Sequence, residues 1–359
     1  MRRRTMLAGA AITSAAVAGG VSGPALSQGI RQLKMVTSWP ADLPGLQTSA
    51  TRLARTIDEA TGGRLRIEIF PADALVRPLE VFDAVSAGVA DMYHSAENYF
   101  ETKSFGFNFF AAIPFGFTAD ELFAWVQYGG GQELWDDLSG RFNVKPLLCL
   151  NSGCQMGGWF VREMVSVESF KGLRYRMPGP GGEVLRRLGA IVVLLPGGEI
   201  VPALKSGAID ASEWIGPWLD MAIGLHQAVP YYCYPGFHEP GTGFSLGINR
   251  GVWDSLAVSD RRIIEAVAAA EYARSLAEFN ANNAAALVRL RKDSAVRIVK
   301  FDDTLLKELH RLSRDVVAEA GASDDISKKI YASYQAFRGP VVAWSDIGEH
   351  AYLNARSLS

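Results

Sequence analysis

Strand-like and helix-like patterns alternate along the chain from residue 33 onward, and this alternation admits few folds. Short apolar runs, one of them with every second residue charged, predict strands, and apolar residues three and four apart predict helices between them. In chain order, the first predicted elements are a strand at 33–37, a helix at 46–57, a strand at 65–69, a helix at 78–88 and a strand at 89–93. This order predicts βαβ units, a largely parallel sheet and an α/β fold.

A second α/β region is predicted to begin near residues 144–150. It continues with a strand at 173–177, a helix at 182–188 and a strand at 191–195. Residues 84–91 and 203–210 share one pattern, in which an apolar helix end is followed by a Gly, an apolar strand and an Asp. This weak repeat favours two similarly built domains, as does a length of 359 residues.

Residues 1–27 have the pattern of an export signal rather than of a folded segment. Three consecutive Arg precede a short apolar stretch, which ends in the small-residue sequence PALS at 24–27. The sequence RRTML at 3–7 resembles a twin-arginine signal, and an ordinary Sec signal is the alternative. We therefore predict a mature chain that begins at Gln28.

Charge and composition exclude several classes of function. Residues 1–27 contain three Arg and no acidic residue, so their removal changes the formal net charge from −2 to −5. An acidic chain is a poor partner for nucleic acid or for an anionic membrane. The five His residues show no zinc-ligand spacing, and the Gly-rich segment at 179–182 lacks the spacing of a nucleotide-binding loop. Cys149, Cys154 and Cys233 leave at least one thiol unpaired within the chain.

The last third of the chain is predicted to be mostly helical. Ser259 can cap a helix of about 30 residues, which is longer than a globular domain usually needs. Such a helix could pack along two domains, against a second subunit or within one domain. Another helix, capped by Asp302 or Asp303, is predicted to end at Gly321.

A set of polar residues near predicted strand ends is suited to holding a small acid. Arg176 is close to the end of its predicted strand, and strand ends in open α/β sheets face the ligand crevice. Its guanidinium can bind a carboxylate through two parallel hydrogen bonds. Glu213 and Trp214 end another predicted strand, and Glu239 lies in a turn-rich connection.

The charges of this set call for a bound cation. Glu213, Glu239 and Arg176 together with a monocarboxylate ligand carry two net negative charges, which repel strongly at low dielectric. Na⁺ would leave one negative charge and Ca²⁺ would leave none. Hard cations take oxygen ligands, which the two carboxylates, the amide of Gln155 and the oxygens of a 2-oxo or 2-hydroxy acid all supply.

The set contains no evident nucleophile and no proton relay, so it indicates a receptor rather than an enzyme. Cys154 and His238 are the one tempting nucleophile–base pair, and nothing in the sequence brings them within reach. His238 is therefore interpreted as structural. The aromatic run at 231–237 could line a pocket or serve only in packing.

Four segments together resemble the extracytoplasmic solute receptors of tripartite ATP-independent periplasmic (TRAP) transporters. They are QMGGWF at 155–160, LRYR at 173–176, IDASEWIGP at 209–217 and YYCYPG at 231–236, the last followed by Glu239. They are most similar to the branch that binds 2-oxoacids such as pyruvate, and the similarity extends over nearly all of the mature chain.

The resemblance implies a two-lobed periplasmic-binding-protein clamshell with a long helix spanning both lobes. Lobe I would comprise residues 28–150 with a return segment at about 243–300, lobe II residues 151–242, and the C-terminal helices at 301–359 would pack on the lobes. Arg176 would bind the substrate carboxylate. The residues implied around the substrate are Gln155, Arg176, Trp214, Glu239 and Tyr99, and those implied around the cation are Gln155, Glu213, Glu239 and the Trp214 main chain.

One segment departs from the family's pattern. That branch has an aromatic-rich stretch in the first lobe after the position of His94, and here residues 95–100 read SAENYF. Tyr99 is retained, whereas Glu97 and Asn98 are unusual. The first-lobe wall contacts the part of the ligand that is remote from the carboxylate. The departure therefore leaves the length of the acid, and its 2-oxo or 2-hydroxy character, open.

Together these observations predict a periplasmic receptor, not an enzyme, that binds a small 2-oxo- or 2-hydroxycarboxylate with a metal cation for delivery to TRAP membrane subunits. Na⁺ is the favoured cation and Ca²⁺ is the alternative. A sensor subunit that presents the ligand is a second interpretation. A third is an exported enzyme that uses Glu213 or Glu239 as a base.

Overall fold

The computed structural model describes residues 29–358, so the predicted leader at 1–27 lies outside the described residues. The strands are β1 (Arg31–Thr37), β2 (Leu65–Phe70), β3 (Met92–Ser95), β4 (Val144–Asn151), β5 (Gly158–Phe160), β6 (Arg174–Arg176), β7 (Ile191–Val193), β8 (Ala211–Ser212), β9 (Tyr231–Tyr234), β10 (Gly243–Asn249) and β11 (Arg297–Lys300). The helices are α1 (Leu46–Ala60), α2 (Val81–Ser86), α3 (Ala119–Tyr128), α4 (Gly131–Gly140), α5 (Gly179–Arg187), α6 (Gly197–Lys205), α7 (Pro217–Ile223), α8 (Arg250–Ser255), α9 (Val258–Leu290), α10 (Asp303–Gly321), α11 (Asp325–Ser345) and α12 (Ala351–Arg356).

The first sheet has the strand order β2-β1-β3-β10-β4. β1 is parallel to β2 and β3, whereas β10 is antiparallel to both β3 and β4. The predicted parallel character is therefore confirmed for all strands of this sheet except β10. The strand predicted near 144–150 does not open the second region, because β4 pairs with β10 from Val144 to Asn151 at the edge of this sheet.

The second sheet has the strand order β11-β9-β5-β8-β6-β7. β6, β7 and β8 are mutually parallel, and β5 is antiparallel to its neighbours β8 and β9. β11 lies at the end of the predicted return segment 243–300, yet it pairs with β9 in this sheet rather than with the first. The lobe boundaries themselves stay predictions.

Local sequence signals explain where several helices begin and end. The apolar residues with helical spacing in α1, among them Leu46, Leu53 and Ile57, are all buried. Asp302 caps α10 as predicted, since its side chain accepts a hydrogen bond from the backbone N–H of Thr304. The predicted Ser259 cap is wrong: the N-cap position of α9 is Ala257, two residues earlier, and no side chain caps the helix.

The 33-residue helix α9 connects the two sheets. It packs against β4 and α1 on the side of the first sheet, and against α7, which lies between two strands of the second sheet. The buried Glu271 of α9 accepts hydrogen bonds from Arg52 and Ser49 of α1. The predicted helix spanning both halves of the molecule is thus present. Nearby, α10 packs on α5 and α11 packs on α4.

The three thiols are free, and they differ in accessibility. Cys149 and Cys233 are buried, while Cys154 is exposed. Among residues 29–358, no helix is both long and apolar enough to cross a membrane.

Candidate functional site

A small cavity lies between the two sheets. Its walls come from the segments after β1 and β3, from α1, from the end of β6 and the loop after β8, from the connections before β5 and after β9, and from the start of β10. The structure brings all six predicted site residues to this one cavity: Tyr99, Gln155, Arg176, Glu213, Trp214 and Glu239.

Arg176 is the last residue of β6 and is almost fully buried, with 1 % of its surface exposed. Its Nε donates to the backbone carbonyl of Leu195 at 3.0 Å, and its Nη2 donates to the hydroxyl of Tyr99 at 3.3 Å. Nη1 donates to the carboxylate of Glu213. Burial lowers the pKa of Arg176, but the neighbouring negative charges outweigh it and raise the pKa overall, so the guanidinium stays charged.

The aromatic face against this guanidinium belongs to Trp214. The ring centroid lies 5.4 Å from Cζ of Arg176, which is within the range of a cation–π contact. The first residue of α6 must be Gly197, because a Cβ there would lie 2.4 Å from Cη2 of the Trp214 ring. The indole N–H of Trp214 is buried and has no partner among the described residues.

Two buried carboxylates and an imidazole converge on one side of the cavity. One ligand atom each from Glu213, Glu239 and His238 lies within 4.8 Å of the others. Burial raises the pKa of Glu213 to about 7, although the Arg176 charge opposes the shift. Burial and the Glu213 charge raise the pKa of Glu239 to about 7. Burial lowers the pKa of His238 to about 4, so this imidazole is neutral at pH 7.

The amide of Gln155 is oriented by hydroxyl groups. Its Nε2 donates to Oγ1 of Thr242 at 2.9 Å and to Oγ of Ser152 at 3.2 Å. The Thr242 hydroxyl in turn donates to Glu239 at 2.6 Å. This leaves Oε1 of Gln155 buried with no partner in the described part of the chain. An unsatisfied buried acceptor costs about 1–3 kcal/mol, which a cation at this position would relieve.

This donor set fits a hard cation. The atoms on offer are carboxylate oxygens of Glu213 and Glu239 and the unpartnered amide oxygen of Gln155. Na⁺ and Ca²⁺ prefer such oxygen ligands, and a positive charge would favour ionisation of both carboxylates.

The opposite wall comes from the first-sheet side and is partly apolar. Trp39, Leu46 and Phe244 line it, and the indole N–H of Trp39 donates to Nδ1 of His94 at 2.8 Å. The indole N–H is therefore already satisfied, and the indole contributes apolar surface to the wall. A ligand contacting this wall is expected to present an apolar group to it.

The two unusual residues of the 95–100 segment have different surroundings. Asn98 lines the cavity, and its Nδ2 donates to Oε1 of Glu239 at 2.9 Å. Glu97 is buried behind the wall, where it accepts hydrogen bonds from Tyr93 at 2.8 Å and Ser245 at 2.6 Å. Of these two residues, only Asn98 is therefore placed to contact the acid.

Sequence reasoning missed several residues of the site. Asn98 lines the cavity, although the sequence marked it only as an unusual residue of the first-lobe wall. His238, interpreted from the sequence as structural, has a ring nitrogen within 4.8 Å of carboxylate oxygens of Glu213 and Glu239. Thr242 lines the cavity, and its nearness to Glu239 in the chain was the only signal for it. The 231–237 aromatic run does not line the cavity; Tyr232 stacks on Trp159 with ring centroids 4.0 Å apart, so its role is packing.

Comparison with known proteins places the chain among solute-binding proteins. The model of the DctP family, described as bacterial extracellular solute-binding protein, family 7, matches residues 35–324. A monocarboxylate 2-oxoacid-binding periplasmic protein from Nostoc sp. is 36% identical, and the match covers 100% of both chains.

Solved structures of TRAP solute-binding proteins share the two-lobed fold. One from Bordetella bronchiseptica, a dimer with calcium and picolinate in its active site, has a TM-score of 0.89 at 31% identity and covers 92% of this chain and 98% of its own. One from Pseudoalteromonas atlantica with bound sodium and pyruvate has a TM-score of 0.88 at 33% identity and covers 91% and 99%. The chain belongs to the DctP family of bacterial extracellular solute-binding proteins, the solute receptors of TRAP transporters.

Proposed function

We propose that this protein is a periplasmic TRAP receptor that binds a small 2-oxo monocarboxylate together with a metal cation. The observation that carries the proposal is the cavity in which a buried guanidinium faces two buried carboxylates and an unpartnered amide oxygen. The relatives that bind pyruvate with sodium, or picolinate with calcium, support the same pairing of acid and cation.

Arg176 takes the substrate carboxylate, with Tyr99 as a second donor. The cation would be held by Gln155 Oε1, by Glu213 and Glu239, and by the main-chain carbonyl of Trp214. Oxygen atoms of the acid would supply further ligands of the kind that hard cations prefer. Ca²⁺ balances the charges fully and Na⁺ leaves one negative charge, so either ion is compatible with the site.

The size and surface of the cavity favour a short acid. The walls of the cavity leave little free space between them, so a long acid does not fit unless the walls move apart. The wall formed by Trp39, Leu46 and Phe244 suits a methyl or ethyl group. Pyruvate and 2-oxobutyrate are the expected ligands, and longer or doubly charged acids are disfavoured.

Closure of the two lobes over the acid would produce the form that the membrane subunits recognise. Contacts to both walls favour the closed state only when the ligand is present. The lobe boundaries at 28–150 with 243–300 and at 151–242, and the periplasmic location, form part of this proposal. A homodimer through α9 is a further prediction, which light scattering in solution would test.

Calorimetric titration of the mature protein with a panel of acids tests the proposal. Pyruvate, 2-oxobutyrate and lactate are compared with propionate, each in Na⁺, in Ca²⁺ and in a cation-free buffer with a chelator. We expect pyruvate and 2-oxobutyrate to bind when a cation is present, and propionate to bind far more weakly because it lacks an oxygen at C2. Absence of binding heat for every acid in every cation would refute the proposal.

A further inference from the structure

A buried carboxylate outside the cavity, that of Asp220 in α7, accepts four hydrogen bonds. Oδ1 accepts from the backbone N–H groups of Ile215 and Gly216, both at 3.0 Å. Oδ2 accepts from the indole N–H of Trp159 at 2.9 Å and from the hydroxyl of Tyr232 at 2.7 Å. Asp220 is 1 % exposed and does not line the cavity.

The two oxygens of Asp220 connect a rigid part of the second sheet to a loop of the site. Trp159 of β5 and Tyr232 of β9 are buried, pair across the sheet and stack with an interplanar angle of 16°. Ile215 and Gly216 directly follow Glu213 and Trp214 in the loop after β8. The carboxylate of Asp220 therefore holds this loop in a fixed position relative to the stacked Trp159 and Tyr232 side chains.

The bond from Ile215 determines the direction of the preceding carbonyl. The peptide bond between Trp214 and Ile215 is trans, so its C=O and N–H point in opposite directions. Because the N–H of Ile215 points at Asp220, the carbonyl of Trp214 points away from Asp220. No hydrogen bond to that carbonyl oxygen is formed by residues 29–358.

We propose that Asp220 is a positioning residue that aims the main-chain carbonyl of Trp214 at the bound cation. This role rests on the proposed function, because it assumes that the Trp214 carbonyl is a cation ligand. The backbone N–H of Met156 donates to the carbonyl of Ile215 at 3.1 Å, so both the N–H and the C=O of Ile215 are held by hydrogen bonds. Residues that hydrogen-bond to metal ligands and orient them commonly affect metal affinity nearly as much as the ligands themselves do.

Two variants and a matched control test the role. Asp220→Asn keeps the shape of the side chain but turns one acceptor into a donor that faces other donors. Tyr232→Phe removes a single donor and leaves the carboxylate in place. The control is Tyr93→Phe, which likewise removes a buried phenol donor from a buried carboxylate, that of Glu97, but touches no cation-binding loop.

The Kd for Ca²⁺ is measured by calorimetry without organic acid, on samples whose circular dichroism shows them to be folded. Asp220→Asn should weaken Ca²⁺ binding by about 10-fold to 100-fold, the usual effect of losing such a partner. Tyr232→Phe should also weaken Ca²⁺ binding, but by a smaller factor, and Tyr93→Phe should leave the Ca²⁺ affinity unchanged. Raising the Ca²⁺ concentration to saturation should restore pyruvate affinity to Asp220→Asn.

Distinct outcomes overturn this role and the proposed function. If both variants melt at lower temperature but bind Ca²⁺ as tightly as the wild type, Asp220 is only structural. If Asp220→Asn does not fold, an unchanged Ca²⁺ affinity in Tyr232→Phe decides against the role in the same way. A wild-type protein that binds neither Ca²⁺ nor Na⁺, with or without pyruvate, would instead overturn the proposed function, and this role with it.

Discussion

Replacement of Arg176 by Lys tests the carboxylate site with little change of charge. The guanidinium is held in place by Leu195, Tyr99 and Glu213, and so it presents a fixed planar fork to the cavity. Lys keeps the positive charge but offers one compact donor group on a flexible stem. The variant therefore loses at least one charged hydrogen bond to the acid while the electrostatic attraction persists.

The size of the effect follows from that single lost bond. A hydrogen bond to a charged group contributes about 1.5–3 kcal/mol, and about 1.4 kcal/mol corresponds to a tenfold change in affinity. Pyruvate should therefore bind Arg176→Lys about 10-fold to 100-fold more weakly, as measured by calorimetry in saturating Ca²⁺. The Ca²⁺ affinity without acid should change much less, because Arg176 is not a proposed cation ligand.

Arg174→Lys is the matched control on the same strand. Arg174 pairs with Asp210 at 2.6 Å, its side chain is 43% exposed, and it does not line the cavity. Exposed pairs of this kind contribute about 0–1 kcal/mol to stability and nothing to a ligand they do not touch. Equal pyruvate affinities for Arg176→Lys and Arg174→Lys would refute the assignment of the carboxylate site.

Three further predictions concern protons and packing. Ca²⁺ affinity should fall as the pH drops from about 8 to about 6, because the cation needs Glu213 and Glu239 ionised and burial raises the pKa of both to about 7. Equal Kd values for Ca²⁺ across that pH range would contradict this expectation. Burial also raises the pKa of Glu97 to about 7, above its ordinary value of 4.5, so the folded state keeps a proton that the unfolded state has lost. Glu97 should therefore contribute about 3 kcal/mol to the stability that the wild type loses as the pH rises between those two values, and urea unfolding of Glu97→Gln should show a pH dependence smaller by that amount. Gly197→Ala should displace the Trp214 ring, lower the free energy of unfolding by about 1–3 kcal/mol, the usual cost of overpacking, and weaken pyruvate binding. An unshifted tryptophan fluorescence spectrum with unchanged stability and affinity would argue against the contact.

Local signals in the sequence were sufficient for much of the fold. Apolar spacing predicted α1, and alternating charge predicted β2, since both depend on which side of one element is buried. Asp302 and Gly321 marked the ends of α10 because caps act within a few residues. The sheet to which β4 or β11 belongs depends on pairing with distant strands, and no local sequence pattern encodes that pairing.

The site shows the same division between local and distant information. The charge balance of Arg176, Glu213 and Glu239 indicated a cation before any geometry was known, because charges can be counted without coordinates. The hydrogen bonds of Asn98 to Glu239, and of Trp159 to Asp220, join segments that the fold alone brings together. Composition and residue spacing do not predict such contacts.

Joint binding of acid and cation can be measured as a thermodynamic cycle on the mature protein. The Kd for pyruvate is determined with and without saturating Ca²⁺, and the Kd for Ca²⁺ with and without saturating pyruvate. A shared site requires that each ligand tighten the other by the same factor, which we expect to be at least about 10-fold. Two Kd values that are each unaffected by the other ligand would contradict a cation bridged to the acid in this cavity.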